Sequence, residues 1–263
     1  MTDKSWSPSQ NCFKEAFRRN QFSLVFQPQV RLADNVICGA EVLVRWDHPE
    51  HGVLLPNRFL PLLAQTTFDW LLDDLVLFQT MQAQVALQAE GLRLPLSINL
   101  SPHQLLNPGF SDMLDEAADL FPEVPLSSLE FEILESEPLV DIEAAAIAMR
   151  NAQRRGVRFA LDDFGVGHAS LLHCHRLPLQ KLKIDKSFIG PMLEGELFAT
   201  LVQRAVELGH SMGFEVLAEG VESPAQQERL RQMGCDQGQG YLFARPMPQA
   251  AFIDWLKAQR LAD

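Results

Sequence analysis

Short runs of Val, Ile, Leu and Phe that close on an acidic or amide residue recur along this chain. They are Ala40-Glu41-Val42-Leu43, Ser97-Ile98-Asn99-Leu100, Phe131-Glu132-Ile133, Leu161-Asp162-Asp163-Phe164-Gly165, Leu182-Lys183-Ile184-Asp185, Ala218-Glu219-Gly220 and Gln239-Gly240-Tyr241. Such runs, bounded by turn residues, read as buried strands. The pattern predicts strands over residues 23–29, 36–46, 94–100, 129–134, 157–162, 181–185, 215–219 and 239–243. Between most of them the apolar period changes to that of a helix, over residues 12–19, 68–90, 111–121, 141–155, 194–212 and 224–233, with a further short helix over 56–63.

Alternating strands and helices imply βαβ units and a parallel sheet. The first two strands are joined by too few residues for a parallel crossover, so that pair is expected to be antiparallel. Eight strands, nearly all followed by a helix, predict an α/β fold, a modified TIM (β/α)8 barrel with an antiparallel first strand. In such barrels the site is built from the C-terminal strand ends, where the polar residues of this chain lie. A doubly wound open sheet is the alternative; it would gather its ligand at one switch point and not around a ring. With 263 residues, no low-complexity segment and no repeat, one domain over residues 1–263 is expected, residues 1–10 forming a flexible N-terminal segment.

A net charge of −12 argues against nonspecific DNA or anionic membrane binding, though bound cations can reverse the potential inside an acidic pocket. The four dispersed cysteines and the polar N-terminus predict a reduced, cytoplasmic protein, and no stretch is apolar for long enough to span a membrane.

Glu41, Asn99, Glu132, Asp162, Asp163 and Glu219 are all hard oxygen donors, suited to Mg²⁺ or Mn²⁺. Two like charges about 4 Å apart repel by roughly 4 kcal/mol at an effective dielectric near 20. Converging carboxylates therefore call for cations, and the adjacent Asp162 and Asp163 suit a pair of ions bridged by one carboxylate. Lys183 lies within an apolar strand, a costly position for an ammonium without carboxylate neighbours. Arg45 has two readings, a phosphate contact or a surface pairing with Asp47 or Glu50.

These residues fall in motifs that occur together. Phe26-Gln27-Pro28, Glu41-Val42-Leu43, Asn99-Leu100-Ser101, Glu132-Ile133-Leu134-Glu135, Asp162-Asp163-Phe164-Gly165, Lys183-Ile184-Asp185, Glu219-Gly220-Val221-Glu222 and the segment from Gln239-Gly240-Tyr241 to Pro246 stand in that order. In these the chain resembles the EAL domain, the phosphodiesterase that cleaves cyclic di-GMP, from about Phe13 to Trp255. The resemblance implies that Glu41, Asn99, Glu132 and Asp162 hold one ion, and that Asp162, Asp163 and Glu219 hold a second. It implies Lys183 as general base or positioner of the attacking water. Gln27, Leu43, Arg45, Gln239, Phe243 and Pro246 become substrate contacts, and Glu135, Asp185 and Glu222 steady the surrounding loops. It also implies linear pGpG as product, a homodimer formed near the loop after the Asp pair, and a sensor or GGDEF-type domain as partner or chain neighbour.

The match departs from the family in places. Val42 replaces an alanine, and Val166, His168 and Ala169 stand where the family has Thr, Tyr and Ser. Gln65-Thr66 replaces an acidic pair. These changes leave open a receptor that binds cyclic di-GMP without turnover. A third reading, motivated by Lys183 opposite the acidic strand ends, is a single-metal barrel enzyme that abstracts a proton beside a carboxylate. His168, His173 and His175 read as a polar surface segment.

Overall fold

A computed structural model of the chain describes residues 10–63, 66, 68–136, 139–166 and 171–260, with only the backbone of Gln10, residues 171–173 and Arg260. The strands are β1 (Phe22–Arg31), β2 (Ile37–His48), β3 (Gly52–Leu54), β4 (Leu96–Asn99), β5 (Leu129–Leu134), β6 (Arg158–Phe164), β7 (Lys181–Ile184), β8 (Glu215–Ala218), β9 (Gln237–Gln239) and β10 (Met247–Pro248). Eight of them close into a barrel in the order β1-β9-β8-β7-β6-β5-β4-β2, and β2 pairs back onto β1; β3 and β10 extend β2 and β1 outside the ring. The β1 strand runs antiparallel to both of its barrel neighbours, while the other seven are mutually parallel. The predicted barrel and its reversed first strand are both present.

The period of two along each strand separates the barrel's faces. In β5, Leu129, Phe131 and Ile133 are buried with Glu130 and Glu132 between them. Phe131 meets Phe110 of the helix Phe110–Leu120, with ring centroids 5.7 Å apart, so the apolar face looks outward to the helical layer. The alternate face looks into the barrel. Lys181 Nζ of β7 bonds Glu130 Oε1 of the non-adjacent β5 at 2.6 Å and Gln29 Oε1 of β1 at 3.3 Å, contacts that cross the interior. Ser97 Oγ adds a bond to Glu130 Oε1 at 3.0 Å. At the outer end of this layer Arg158 lies 3.6 Å from Glu130 and 2.7 Å from Glu215.

The β9 strand ends at Gln239, short of the predicted residue 243. A side chain at Gly240 would collide with the Val221 backbone, its Cβ 2.1 Å from the carbonyl oxygen. Val221 donates to Gln239 O and accepts from Leu242, so the chain turns there and residues 240–246 form a loop over the barrel mouth. The helix Gln249–Arg260, absent from the sequence prediction, packs Phe252 against Phe26 with centroids 5.5 Å apart. No helix among the described residues is long and apolar enough to cross a membrane. His168, Ala169, Gln65 and residues 1–9 lie outside the described residues.

Candidate active site

One step up each strand from the Lys181 layer, a second polar layer occupies the C-terminal mouth of the barrel. Strand register brings its members together. Glu41 pairs with Gln27 and with Ser97, Asn99 pairs with Glu132, and Lys183 sits beside Leu217 on β8, two residues before Glu219. Lys183 is fully buried, as a side chain in the centre of the ring must be. Its Nζ lies 2.7 Å from Glu132, 2.8 Å from Glu219, 3.0 Å from Asp162 and 3.7 Å from Glu41.

Asp162 and Asp163 illustrate how local backbone builds the site. Consecutive strand residues point to opposite faces, which would send one of the two carboxylates away. The β6–β7 register shifts between Leu161 and Phe164, a bulge, and Asp163 takes φ 55°, a left-handed conformation uncommon for a non-glycine residue. Asp163 N–H bonds Asp162 Oδ1 at 2.9 Å, and Val166 N–H bonds Asp163 O at 3.2 Å. Glu135 anchors the turn from β5: its N–H reaches Asp162 O at 2.9 Å and its carboxylate accepts from Gly165 N–H at 2.7 Å. Gly165 itself has φ 100°, and a Cβ there would stand 2.7 Å from the Phe188 ring.

As a result, carboxylate oxygens of Glu41, Glu132 and Asp162 all lie within 4.8 Å of one another, and so do those of Asp162, Asp163 and Glu219. Asp162 belongs to both groups. Asn99, exposed at the mouth, directs Nδ2 toward Glu41 Oε1 at 3.5 Å. Glu132 Oε1 is buried without a hydrogen-bond partner in the described structure. An orphaned carboxylate oxygen in the barrel centre is costly unless a cation or a proton meets it. The donor set, all carboxylate with one amide, fits a hard divalent ion.

Electrostatics show the same excess of negative charge. Burial pushes Glu132 well above its ordinary value despite Lys183 beside it, with Glu41 and Asp162 adding repulsion. Burial likewise raises Glu219 to about 8, only partly offset by Lys183, and raises Asp163 to about 6 with help from Asp162 and Asp185. For Lys183 burial alone would lower the pKa, but Asp162, Glu132, Glu219 and Glu41 together hold it well above its usual value. The ammonium is charged.

The remaining predicted residues separate into those gathered at the mouth and those outside it. Gln239 Nε2 bonds Glu41 Oε2 at 2.5 Å and Gln27 Oε1 at 3.1 Å, and Gln27 Nε2 reaches Ala244 O at 3.2 Å, tying the 240–246 loop with Phe243 and Pro246 to the cluster. Leu43 and Arg45 share the strand face of Glu41. Arg45 Nη1 donates to Val44 O at 2.8 Å rather than to Asp47 or Glu50, and burial lowers its pKa despite Glu41 nearby. Asp185 is buried and caps the helix Lys186–Ile189 by accepting from Ser187 N–H at 2.9 Å. Glu222 is exposed, and its backbone N–H bonds Gln226 Oε1 at 2.8 Å.

Sequence reading missed the lower layer of Gln29, Ser97, Glu130 and Lys181. The signal was available, since Ser97/Asn99, Glu130/Glu132 and Lys181/Lys183 are polar pairs spaced by two within apolar strands.

Comparison with known proteins converges on one family. The sequence profile of the EAL domain matches residues 10–246. The chain is 35% identical over 240 residues to the bifunctional diguanylate cyclase/cyclic di-GMP phosphodiesterase MucR of Pseudomonas aeruginosa, covering 89% of this chain and 34% of MucR. It is also 35% identical over 241 residues to the cyclic di-GMP phosphodiesterase RocR of the same organism, covering 89% of this chain and 60% of RocR. The chain thus spans only part of these relatives. Among solved structures, the phosphodiesterase of PaMucR in complex with c-di-GMP superposes with a TM-score of 0.85 at 34% identity, over 92% of this chain and 98% of that one. The EAL enzyme Bd1971, bound to cAMP and cyclic di-GMP, gives 0.87 at 28% identity, over 94% of this chain and 67% of that one.

Proposed function

Because this chain belongs to the EAL domain family, we propose that it is a cytoplasmic, divalent-metal-dependent phosphodiesterase that hydrolyses cyclic di-GMP to linear pGpG. The observation that carries this reading is the pair of carboxylate groups joined through Asp162. Glu41, Asn99, Glu132 and Asp162 would hold one Mg²⁺ or Mn²⁺, and Asp162, Asp163 and Glu219 the other. Bound there, the ions would supply positive charge to a phosphate oxygen and make a water acidic enough to attack at neutral pH. Lys183, charged among its carboxylates, acts as a positioner: its ammonium orients a water or phosphate oxygen and keeps the ligands in register. Of the two roles the resemblance implies for Lys183, this reading takes the positioning one.

Arg45 meets a phosphate of the substrate, and its bond to a neutral carbonyl, with no carboxylate in salt-bridge contact among the described residues, leaves its charge available. Gln27, Leu43, Gln239, Phe243 and Pro246 line the approach. Glu135 and Asp185 fix the turns that present Asp163, and Glu222 steadies the next loop through its backbone. In this reading Val166 in place of a hydroxyl residue alters rate rather than competence, because the Glu135–Gly165 bond that holds the turn does not involve it.

A homodimer through the same turn accompanies this reading. Val166, Leu193, Leu197 and Leu201 are exposed there. Leu201 also lines a cavity of about 300 Å³ together with Phe164, Gly165, Phe188, Val202 and Leu208. A second copy covering this apolar patch is supported by its continuity with the Asp162-Asp163 turn. A GGDEF-type or sensor domain acting on this one is supported by the partial coverage of MucR.

The test is incubation of the purified protein with cyclic di-GMP and Mn²⁺ or Mg²⁺, with and without chelator, followed by chromatography. Metal-dependent pGpG supports the enzyme. Binding with intact substrate moves the reading to a receptor, and neither binding nor turnover overturns both.

A further inference from the structure

The long helix Phe68–Ala89 is largely apolar, yet it carries Asp69, Asp73 and Asp74 within its first two turns. All three face the same short segment, residues 101–104, immediately after the Asn99 strand end. Asp69 Oδ2 lies 3.3 Å from His103 Nδ1, Asp73 Oδ2 accepts from Ser101 Oγ at 2.6 Å, and Asp74 Oδ1 accepts from Gln104 Nε2 at 2.8 Å. Ser101 in turn caps the helix Pro102–Leu105 by accepting from Gln104 N–H at 3.1 Å. Between Asn99 and Ser101, Leu100 N–H is fixed to Glu132 O at 2.9 Å. The backbone that presents Asn99 is therefore held at Leu100 by β5 and at Ser101 by Asp73.

We propose that Asp73 is a positioning residue for the metal-binding mouth: through its bond to Ser101 it sets the direction of the β4 end and so the placement of Asn99 beside Glu41. The inference rests on the reading of Asn99 as a metal ligand. Of the three carboxylates only Asp73 acts on the residue two positions from Asn99; Asp69 and Asp74 hold residues further along the helical turn. Burial pushes the Asp73 carboxyl up to about 8, with Asp69 and Asp74 adding like charge and the Ser101 bond opposing them. A neutral acid at this place makes Asp73→Asn a close mimic, because an amide oxygen can still accept the Ser101 hydroxyl. Groups that orient ligands from outside the coordination sphere typically change metal affinity by about 10- to 100-fold when removed.

The experiment titrates wild type, Asp73→Ala, Asp73→Asn, Ser101→Ala and Asp74→Ala with Mn²⁺, following the free-ion signal by electron paramagnetic resonance, and records Tm for each. Expected are weakening of at least one Mn²⁺ site by about 10-fold in Asp73→Ala and Ser101→Ala, affinity within about two-fold of wild type in Asp73→Asn, and a lower Tm with unchanged Mn²⁺ binding in Asp74→Ala. Unchanged Mn²⁺ affinity in a folded Asp73→Ala variant overturns the inference and leaves Asp73 a helix-docking residue. If that variant does not fold, Ser101→Ala decides the matter by the same criterion. Wild type that binds no Mn²⁺ overturns the metal reading of the mouth, and the positioning role falls with it; wild-type binding that Asp73→Ala preserves overturns the positioning role alone.

Discussion

Two layers of polar residues follow one another along the strands of this barrel, and they differ in charge balance. In the lower layer Lys181 meets Glu130, Arg158 bridges Glu130 and Glu215, and Gln29 and Ser97 complete the bonding. Two cations face two carboxylates. In the upper layer Lys183 faces Glu41, Glu132, Asp162 and Glu219, with Asp163 close by. One cation faces five carboxylates, one buried oxygen of Glu132 has no partner, and Glu132, Glu219 and Asp163 all titrate above their ordinary values. A charge-balanced network holds strands together; an unbalanced one gains stability when a cation or proton joins it.

The comparison breaks most sharply at the ligands. Glu41→Ala or Asp162→Asn is expected to reduce cyclic di-GMP hydrolysis by well over the roughly 100-fold typical of outer-sphere changes, while the proteins remain folded by circular dichroism. Wild-type-like turnover in either would remove the upper layer from the chemistry. In the lower layer the loss should appear as stability. Lys181→Met strands Glu130 in the interior and is expected to cost about 3–5 kcal/mol in denaturant unfolding. The double variant Lys181→Met/Glu130→Leu should recover most of that loss, and its Mn²⁺ affinity should match wild type.

Much of this division was legible in the sequence, because period-two alternation marks inward positions wherever a strand is regular. Glu41, Asn99, Glu132 and Lys183 follow from that rule alone. Asp163 does not: alternation sends it outward, and only the bulge and its left-handed φ bring it back. Nor does alternation show that β9 stops at Gln239, since the approach of the Val221 backbone to Gly240 is a tertiary contact. The helix Gln249–Arg260 had its signal in Phe252 and Leu256, four residues apart and both buried. The three contacts from Asp69, Asp73 and Asp74 join segments about 30 residues apart, and no local pattern pairs them.

Two smaller effects sharpen the contrast. Saturating Mn²⁺ should stabilise the protein by about 2.7 kcal/mol at a hundred times its dissociation constant, read as a rise in Tm that Asp162→Asn loses and the Lys181→Met/Glu130→Leu variant keeps. The second is the pH response of the chelated protein. A carboxyl whose folded pKa is raised binds its proton more tightly in the native state, so stability is greatest at low pH and falls as pH rises toward the folded value. With Glu219 near 8 and Asp163 near 6, Tm without metal should decline between pH 5 and pH 8, and Mn²⁺ should flatten that decline. A Tm that rises over the same range would contradict the crowding of carboxylates at the mouth.

The most direct measurement is calorimetric titration of the chelator-stripped protein with Mn²⁺, comparing wild type with Asp162→Asn. Because Asp162 is shared by both carboxylate groups, two ions per chain are predicted for wild type, and both sites should be weakened together in the variant. Wild type that takes up no Mn²⁺, or an Asp162→Asn variant that still binds two ions with unchanged affinity, would contradict the assignment of the upper layer as a two-cation site.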